Sequence, residues 1–172
     1  MMRRSRAAWG SALFTIVVPG TVAGLIPWLI SGWHVEHELS HVVVIPVAGV
    51  VLIVAGLPVL LQAIYRFAAE GSGTPAPVAP TQRLVVGGPN RFVRNPMYLA
   101  VVSIIIGQAL LLGQAAVLWY GLVVALGQAL FVRFYEEPAL SRRFGSDYDD
   151  YRAAVPAWLP RLTPWTPAGE RS

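Results

Sequence analysis

The chain has no cysteine and no lysine, and it is short of charge of either sign. Without cysteine there are no disulfides, thiolate metal sites or cysteine nucleophiles, although this locates no compartment. Only 13% of its 172 residues are charged, against roughly a quarter in a soluble domain, while 55% are hydrophobic and the mean hydropathy is +0.57. Such a chain belongs in a bilayer.

Four windows carry that signal: 8–30, 42–67, 97–112 and 115–134. None holds an acidic or basic residue in its core, and only Arg66 and Arg133 appear, at the ends. At ~1.5 Å per residue three of them can cross a hydrocarbon core of about 30 Å, whereas the third reaches roughly 24 Å. The third and fourth read as a tight hairpin turning at Gly113-Gln114. The expected fold is therefore an all-α integral membrane protein, a single domain of about four transmembrane helices plus a cytoplasmic interfacial C-terminal helix.

All thirteen basic residues are arginine, and their placement sets orientation. Arg3, Arg4 and Arg6 precede the first window, Arg66, Arg83, Arg91 and Arg94 lie between the second and third, and six follow or end the fourth, from Arg133 to Arg171. The 31–41 connection and the 113–114 turn have none. With an even number of spans, both termini and the linker 68–96 fall in the cytoplasm, with the plasma membrane of a bacterium as the expected location. The pI near 10.0 then reflects topology and anionic-lipid contact. No aromatic-interleaved basic surface accompanies it, so nucleic acid is not an expected partner. The N-terminal apolar run is too long for a signal h-region and lacks an A-x-A-like site, so we expect a retained span.

The linker is loaded with glycine and proline, and its first part, GSGTPAPVAP, reads as flexible or partly polyproline-like. Its second part, Leu84-Val85-Val86 followed by Gly87-Gly88-Pro89, is either backbone turning closely against a ligand or an ordinary surface loop. From 135 to 172 the chain is mixed polar and aromatic. Ser146 and Asp149 stand at capping-box spacing, and Tyr148, Tyr151 and Val155 fall at i, i+3 and i+7. These predict an interfacial helix ending before Pro156, with Trp158 and Trp165 as belt aromatics. Gln108 and Gln128 read as interhelical hydrogen-bond partners.

Three groups carry chemistry. Asn95-Pro96 is a helix start, with asparagine as cap and proline at the first helical position, so the third span presents free N–H groups to an anion. Tyr98 adds a hydroxyl one turn in. At the far end of the fourth span, FVRFYEEPAL places Glu136 and Glu137 three and four residues after Arg133. Two acids near a helix C-terminus and close to hydrocarbon are not explained by local stability. Antiparallel spans bring Asn95 and Glu136 to one cytoplasmic rim, a set suited to a small zwitterionic nucleoside. The third group is HVEHELSH, where His34, His37 and His41 with Glu38 could share a helical face and bind a metal. It lies on the predicted outer side, away from the arginine-rich rim, and reads first as a polar membrane-exit turn, so no metal site is assigned.

The Arg-Asn-Pro-Met-Tyr block at 94–98, the Glu136-Glu137 pair and the tail FGSDYDDYRAAVPAWLP resemble the isoprenylcysteine carboxyl methyltransferase and phospholipid methyltransferase superfamily of integral membrane enzymes. The likeness covers about 82–160, with its three blocks in the expected order. It implies a methyltransferase using S-adenosyl-L-methionine without a Rossmann domain, and the chain has no strand-GxGxxG-helix unit. By similarity the cofactor is enclosed by Gln82, Arg83, Leu84, Val85, Asn90, Asn95, Pro96, Met97, Tyr98 and Glu136. Arg133 and Glu137 lie nearer the methyl acceptor, which is lipid-like or amphiphilic. The chain has Asn95 where the eukaryotic carboxyl methyltransferases have histidine, Ala100 where glycine is frequent, and Asn90 at a commonly aromatic position. The acceptor stays open between a carboxylate and a lipid headgroup amine. The rival expectation is a non-catalytic membrane protein binding lipid or partner helices, which gives no reason for two acids at the rim.

Overall fold

A computed structural model describes residues 17–36, 42–70 and 84–166. Among them the fold is all helical: α1 (Val17–Ser31), α2 (Val44–Glu70), α3 (Pro96–Leu112), α4 (Ala115–Phe144) and α5 (Ser146–Ala154), with a 3₁₀ turn at Gly88–Arg91 before α3. Two helices are long and apolar enough to cross a membrane, over Val44–Arg66 and within α4, whereas the described part of α1 and all of α3 are shorter. Outward-facing apolar side chains run down both long helices at helical spacing, as Val47, Val51, Val54, Leu57, Leu61 and Tyr65 on α2 and Trp119, Val123, Leu126 and Phe134 on α4. A soluble protein could not leave such stripes in water.

Packing between α2 and α3 is set by small residues. A Cβ added at Gly49 would lie 2.6 Å from the Gly107 carbonyl oxygen, and one at Gly56 would lie 3.1 Å from that of Ala100. The two contacts are seven residues apart on each antiparallel helix, so two turns of backbone meet with almost nothing between them. In lipid, where burying apolar surface provides little drive, close backbone approach is what helices use to associate. Ala100, Val101, Ile104, Ile105 and Ala109 of α3 form the core with Ala23, Leu60 and Val117.

Proline shapes both bent helices by the same logic. Pro27 supplies no N–H to the turn before it, and there α1 widens so that the Ile26 N–H reaches the Thr21 carbonyl five residues back. The carbonyls of Val22 and Ala23 are taken up from outside: Tyr120 donates to the first at 2.9 Å and Gln108 Nε2 to the second at 2.7 Å. Each buried carbonyl thus finds a partner in apolar surroundings. Gln108 is an interhelical hydrogen-bonder, but its partner is α1 and not Gln128, whose Oε1 is buried without a partner among the described residues.

The α3–α4 hairpin turns at Gly113, whose φ of 71° is a left-handed position that favours glycine. Buried Gln114 then donates to the carbonyls of Ser31 (3.3 Å) and His34 (2.6 Å), while the Glu36 N–H bonds the Leu112 carbonyl at 2.7 Å. These tie the α1 exit to the hairpin. His37, Glu38 and His41 lie outside the described residues, and no group of three metal-ligating side chains occurs among those described.

Three expectations are corrected. The fourth helix does not end at 134: a wide turn over Val132–Glu136, six residues upstream of Pro138 at its start, carries α4 without interruption to Phe144, so the glutamates lie inside a helix. The Glu137 N–H reaches Val132, and the proline requires no donor of its own. No Ser146–Asp149 capping box forms, because Gly145 occupies the N-cap and Asp149 accepts from Ser141 Oγ at 3.1 Å. Finally, the apolar face of α5 packs on the protein itself: Tyr148, Tyr151 and Val155 are covered by Leu84, Val86, Leu140, Phe144 and Trp165.

Candidate functional site

The rim is built where α3 begins beside the lower part of α4. Tyr98, one turn into α3, donates its hydroxyl to Glu136 Oε2 at 3.0 Å. One turn earlier, Arg94 Nη1 donates to Glu137 Oε1 at 2.8 Å and to the Tyr148 hydroxyl oxygen at 3.0 Å. Adjacent acids on α4 are thereby handed to residues four apart on the α3 side. The Arg94–Glu137 pair is largely out of water, with side chains 11% and 7% exposed. Arg152 and Arg133 stand 3.4 Å and 3.8 Å from the other oxygen of Glu137.

Asn95 sits at the N-cap of α3 with Pro96 in the first turn, yet its side chain makes no cap. Its Nδ2 donates instead to the Ala157 carbonyl at 3.1 Å, which corrects the capping expectation. Among the described residues no side chain caps the first-turn N–H groups of α3, and the positive end of the helix dipole stays available. Asn90, also buried, donates to the Arg94 carbonyl at 3.3 Å, while its Oδ1 has no partner among the described residues. A buried acceptor left open next to an uncapped helix start is a costly arrangement for stability alone.

The segment 156–166 returns across this block. Arg94 N–H bonds the Pro156 carbonyl, Arg161 N–H the Phe92 carbonyl and Trp165 N–H the Arg91 carbonyl, each at 2.9 Å. Arg91 closes the strap through Nε to the Trp165 carbonyl at 2.6 Å and Nη2 to Thr166 Oγ1 at 2.8 Å. Trp165 lies against Tyr151, with ring centroids 5.3 Å apart, and Tyr151 donates to the Asn90 carbonyl at 2.7 Å.

Burial pushes the Tyr148 and Tyr151 hydroxyls above the ordinary tyrosine value. A group whose folded pKa is raised contributes stability that is intact below its unfolded pKa, about 10, and is lost as pH rises through the folded value. The strap is accordingly expected to stay docked through neutral pH and to loosen above about pH 10. Trp165 fluorescence, taken as the difference from Trp165→Phe, should report that transition, and Tyr151→Phe should shift it.

Of the residues expected at the site, the structure brings Asn90, Asn95, Pro96, Tyr98, Glu136, Glu137 and Arg133 to this rim. Met97 turns partly toward the core, Leu84 packs on the α5 cluster, and Val85 is buried beside it in sequence. Gly88, with φ of 58°, approaches Arg66 of α2. Gln82 and Arg83 lie outside the described residues. Sequence reasoning missed Arg94, Tyr148, Tyr151 and Arg152 as parts of the rim. The available signal was Arg94 itself, a guanidinium four residues before Tyr98 and directly before the Asn-Pro start.

Fold and rim together define a helical membrane protein with acids, a tyrosine and an uncapped helix start at one end of its core. The phospholipid methyltransferase family profile matches residues 44–147, well over half of the chain, and the chain belongs to that family. No curated protein and no solved structure matches it. The protein is thus an S-adenosylmethionine-dependent methyltransferase acting on a lipid or membrane-associated acceptor. The matched span contains the rim residues contributed by α3 and α4, whereas the rim residues of α5, Tyr148, Tyr151 and Arg152, and the strap lie beyond its end.

Proposed function

We propose that the rim between α3 and α4 is the cofactor site, opening to the cytoplasm, with the acceptor approaching along the lipid-facing side of α4. The observation that carries this is the pairing of an uncapped α3 start and the orphaned Asn90 Oδ1 with the Tyr98–Glu136 hydrogen bond. The donor set fits S-adenosylmethionine: N–H groups for its carboxylate, acid and amide oxygens for its ammonium and ribose hydroxyls. Bound there, the cofactor supplies an electrophilic sulfonium methyl. Asn90, Asn95, Pro96, Met97, Tyr98 and Glu136 would hold it, joined by Leu84 and Val85 and by Gln82 and Arg83 of the linker. Arg133 and Glu137 stand on the acceptor side. These residues act by orienting the reactants and excluding water, which is where most of the acceleration of a simple displacement arises.

In this reading the whole chain is one membrane domain. The shorter helices α1 and α3 stand within the bilayer beside α2 and α4, giving about four spans with both termini cytoplasmic. The arginine distribution and the apolar outer stripes of α2 and α4 support it. Carboxyl O-methylation and headgroup N-methylation are both compatible with the rim.

Detergent-purified protein is expected to bind S-adenosylmethionine saturably and to gain thermal stability from it. Glu136→Ala should weaken that binding by at least about tenfold, since it removes a partly buried acceptor and leaves the Tyr98 hydroxyl unpaired. Folded protein that shows no cofactor-dependent stabilisation would refute the assignment.

A further inference from the structure

Beyond Tyr135 the chain turns its large apolar side chains inward. Leu140, Phe144, Tyr148, Tyr151 and Val155 pack in the cluster under α5, and Trp158 and Trp165 are half-buried. Leu159 and Leu162 are the exceptions among the described residues, at 79% and 99% exposed. A lone exposed leucine needs no explanation, but these two stand three residues apart, between the two tryptophans. Pro160 and Pro164 keep the segment out of a helix, so neither leucine is simply the outer side of a helical turn. The backbone on both sides of Leu162 is pinned to the rim, by the Arg161 N–H on the Phe92 carbonyl and the Trp165 N–H on the Arg91 carbonyl. Arg161 Nη1 adds a bond to the Ala154 carbonyl at 3.0 Å. Leu162 is thus held outward by a fixed chain.

The height at which they stand points to what covers them. The lipid-facing stripe of α4 runs down to Phe134, 76% exposed, and Glu137 lies about 4.5 Å further along the axis at ~1.5 Å per residue. Arg94 meets Glu137 at 2.8 Å, and the strap bonds to Phe92 two residues before Arg94. The strap therefore crosses within about one turn of the end of that stripe, in the depth range of a headgroup layer roughly 5–7 Å thick. Its exposed leucines continue a surface that lipid already covers. We propose that Leu159 and Leu162 insert into the headgroup–acyl boundary of the bilayer and anchor the strap there, with Trp158 and Trp165 at headgroup level. The partner is the lipid surface itself, since two leucines offer apolar area and no charge. On the cofactor-site reading above, the anchor also braces that site. The strap carries the Ala157 carbonyl that holds Asn95 Nδ2 away from the α3 start. Released by a loosened strap, Asn95 is free to cap the N–H groups that the cofactor needs.

Because the chain has no cysteine, a single nitroxide can be attached at any chosen position. Leu162→Cys carries it in full-length protein reconstituted into phosphatidylcholine vesicles, with Val123→Cys on the lipid-facing side of α4 and Asp150→Cys on the exposed side of α5 as references. The ratio of collisions with oxygen to collisions with a water-soluble nickel complex is expected to be several-fold higher at 162 than at 150, approaching that at 123. A ratio equal to that at 150 places the strap in water and overturns the anchor. A label shielded from both reagents overturns it as well, because another segment of the chain or a second copy then covers the leucines. For the brace, Leu159→Gln/Leu162→Gln should weaken S-adenosylmethionine binding in the same vesicles by about threefold, as the docked fraction of the strap falls. Both are surface positions, so the fold survives the change. Unchanged affinity overturns the brace. Wild-type protein that fails to bind the cofactor strikes the cofactor-site reading instead and leaves the collision ratios standing.

Discussion

Arg94→Ala is expected to destabilise the protein by about 3 kcal/mol or more, the largest single-residue effect at the rim. Among the described residues the guanidinium is the one close partner of Glu137, and both side chains are almost entirely withdrawn from water. Removing it leaves a buried carboxylate with only the looser Arg152 and Arg133 nearby, and deprives the Tyr148 hydroxyl of its donor. Those two arginines recover part of the loss, which is why we expect the lower end of the range for a broken buried pair. Replacing both members, as Arg94→Leu with Glu137→Leu, should restore most of the stability, because the desolvation cost disappears with the charges. Denaturant unfolding in detergent measures both. A single variant within 0.5 kcal/mol of wild type would mean that the pair contributes little as an ion pair.

Gly107→Leu is the second large effect, and it acts on the scaffold. A Cβ there meets Ile53 Cγ1 at 2.7 Å and the Gly49 carbonyl oxygen at 2.8 Å, so α2 and α3 must separate before any further atom is accommodated. Overpacking of this kind costs about 1–3 kcal/mol when side chains can yield, and here one of the obstructing atoms is backbone. The expected result is loss of monodisperse folded protein, or a midpoint far below wild type. Gly127→Leu is the matched comparison: nothing lies within 4 Å of a Cβ at that exposed position of α4. It exchanges glycine for a better helix former by about 1 kcal/mol, so it should be neutral or stabilising. Equal effects of the two changes would argue against the close α2–α3 crossing.

The parts of this protein legible from its sequence follow from composition and short-range pattern. Long apolar runs without charge predict helices in lipid, because no other backbone arrangement of that composition satisfies its own hydrogen bonds there. The Asn-Pro start, the Gly113 turn and the Tyr148–Tyr151–Val155 face emerge at or within a residue of their expected places, each set by local conformational preference. The fourth helix runs past its expected end at 134 because the wide turn over Val132–Glu136 lets it absorb the N–H that Pro138 lacks, and an apolar window cannot show that.

What pairs with what could not be read in this way. Asn95 had a sound local use as a cap, but the chain returning 62 residues later offers it the Ala157 carbonyl, and that partner prevails. Arg94 looked like an orientation signal until α4 placed Glu137 2.8 Å away. The tail read as a helix for the membrane surface, since its amphipathic face does not say whether lipid or protein will cover it; Leu84, Val86 and Trp165 do. The sequence determined a helical membrane chain with acids and a helix start at one rim, because burial and backbone satisfaction are decided residue by residue. Only the tertiary structure decided which acid is locked by Arg94 and which is held by Tyr98. Hydrogen bonds between distant segments depend on where the backbone has been carried, and periodicity holds no record of that.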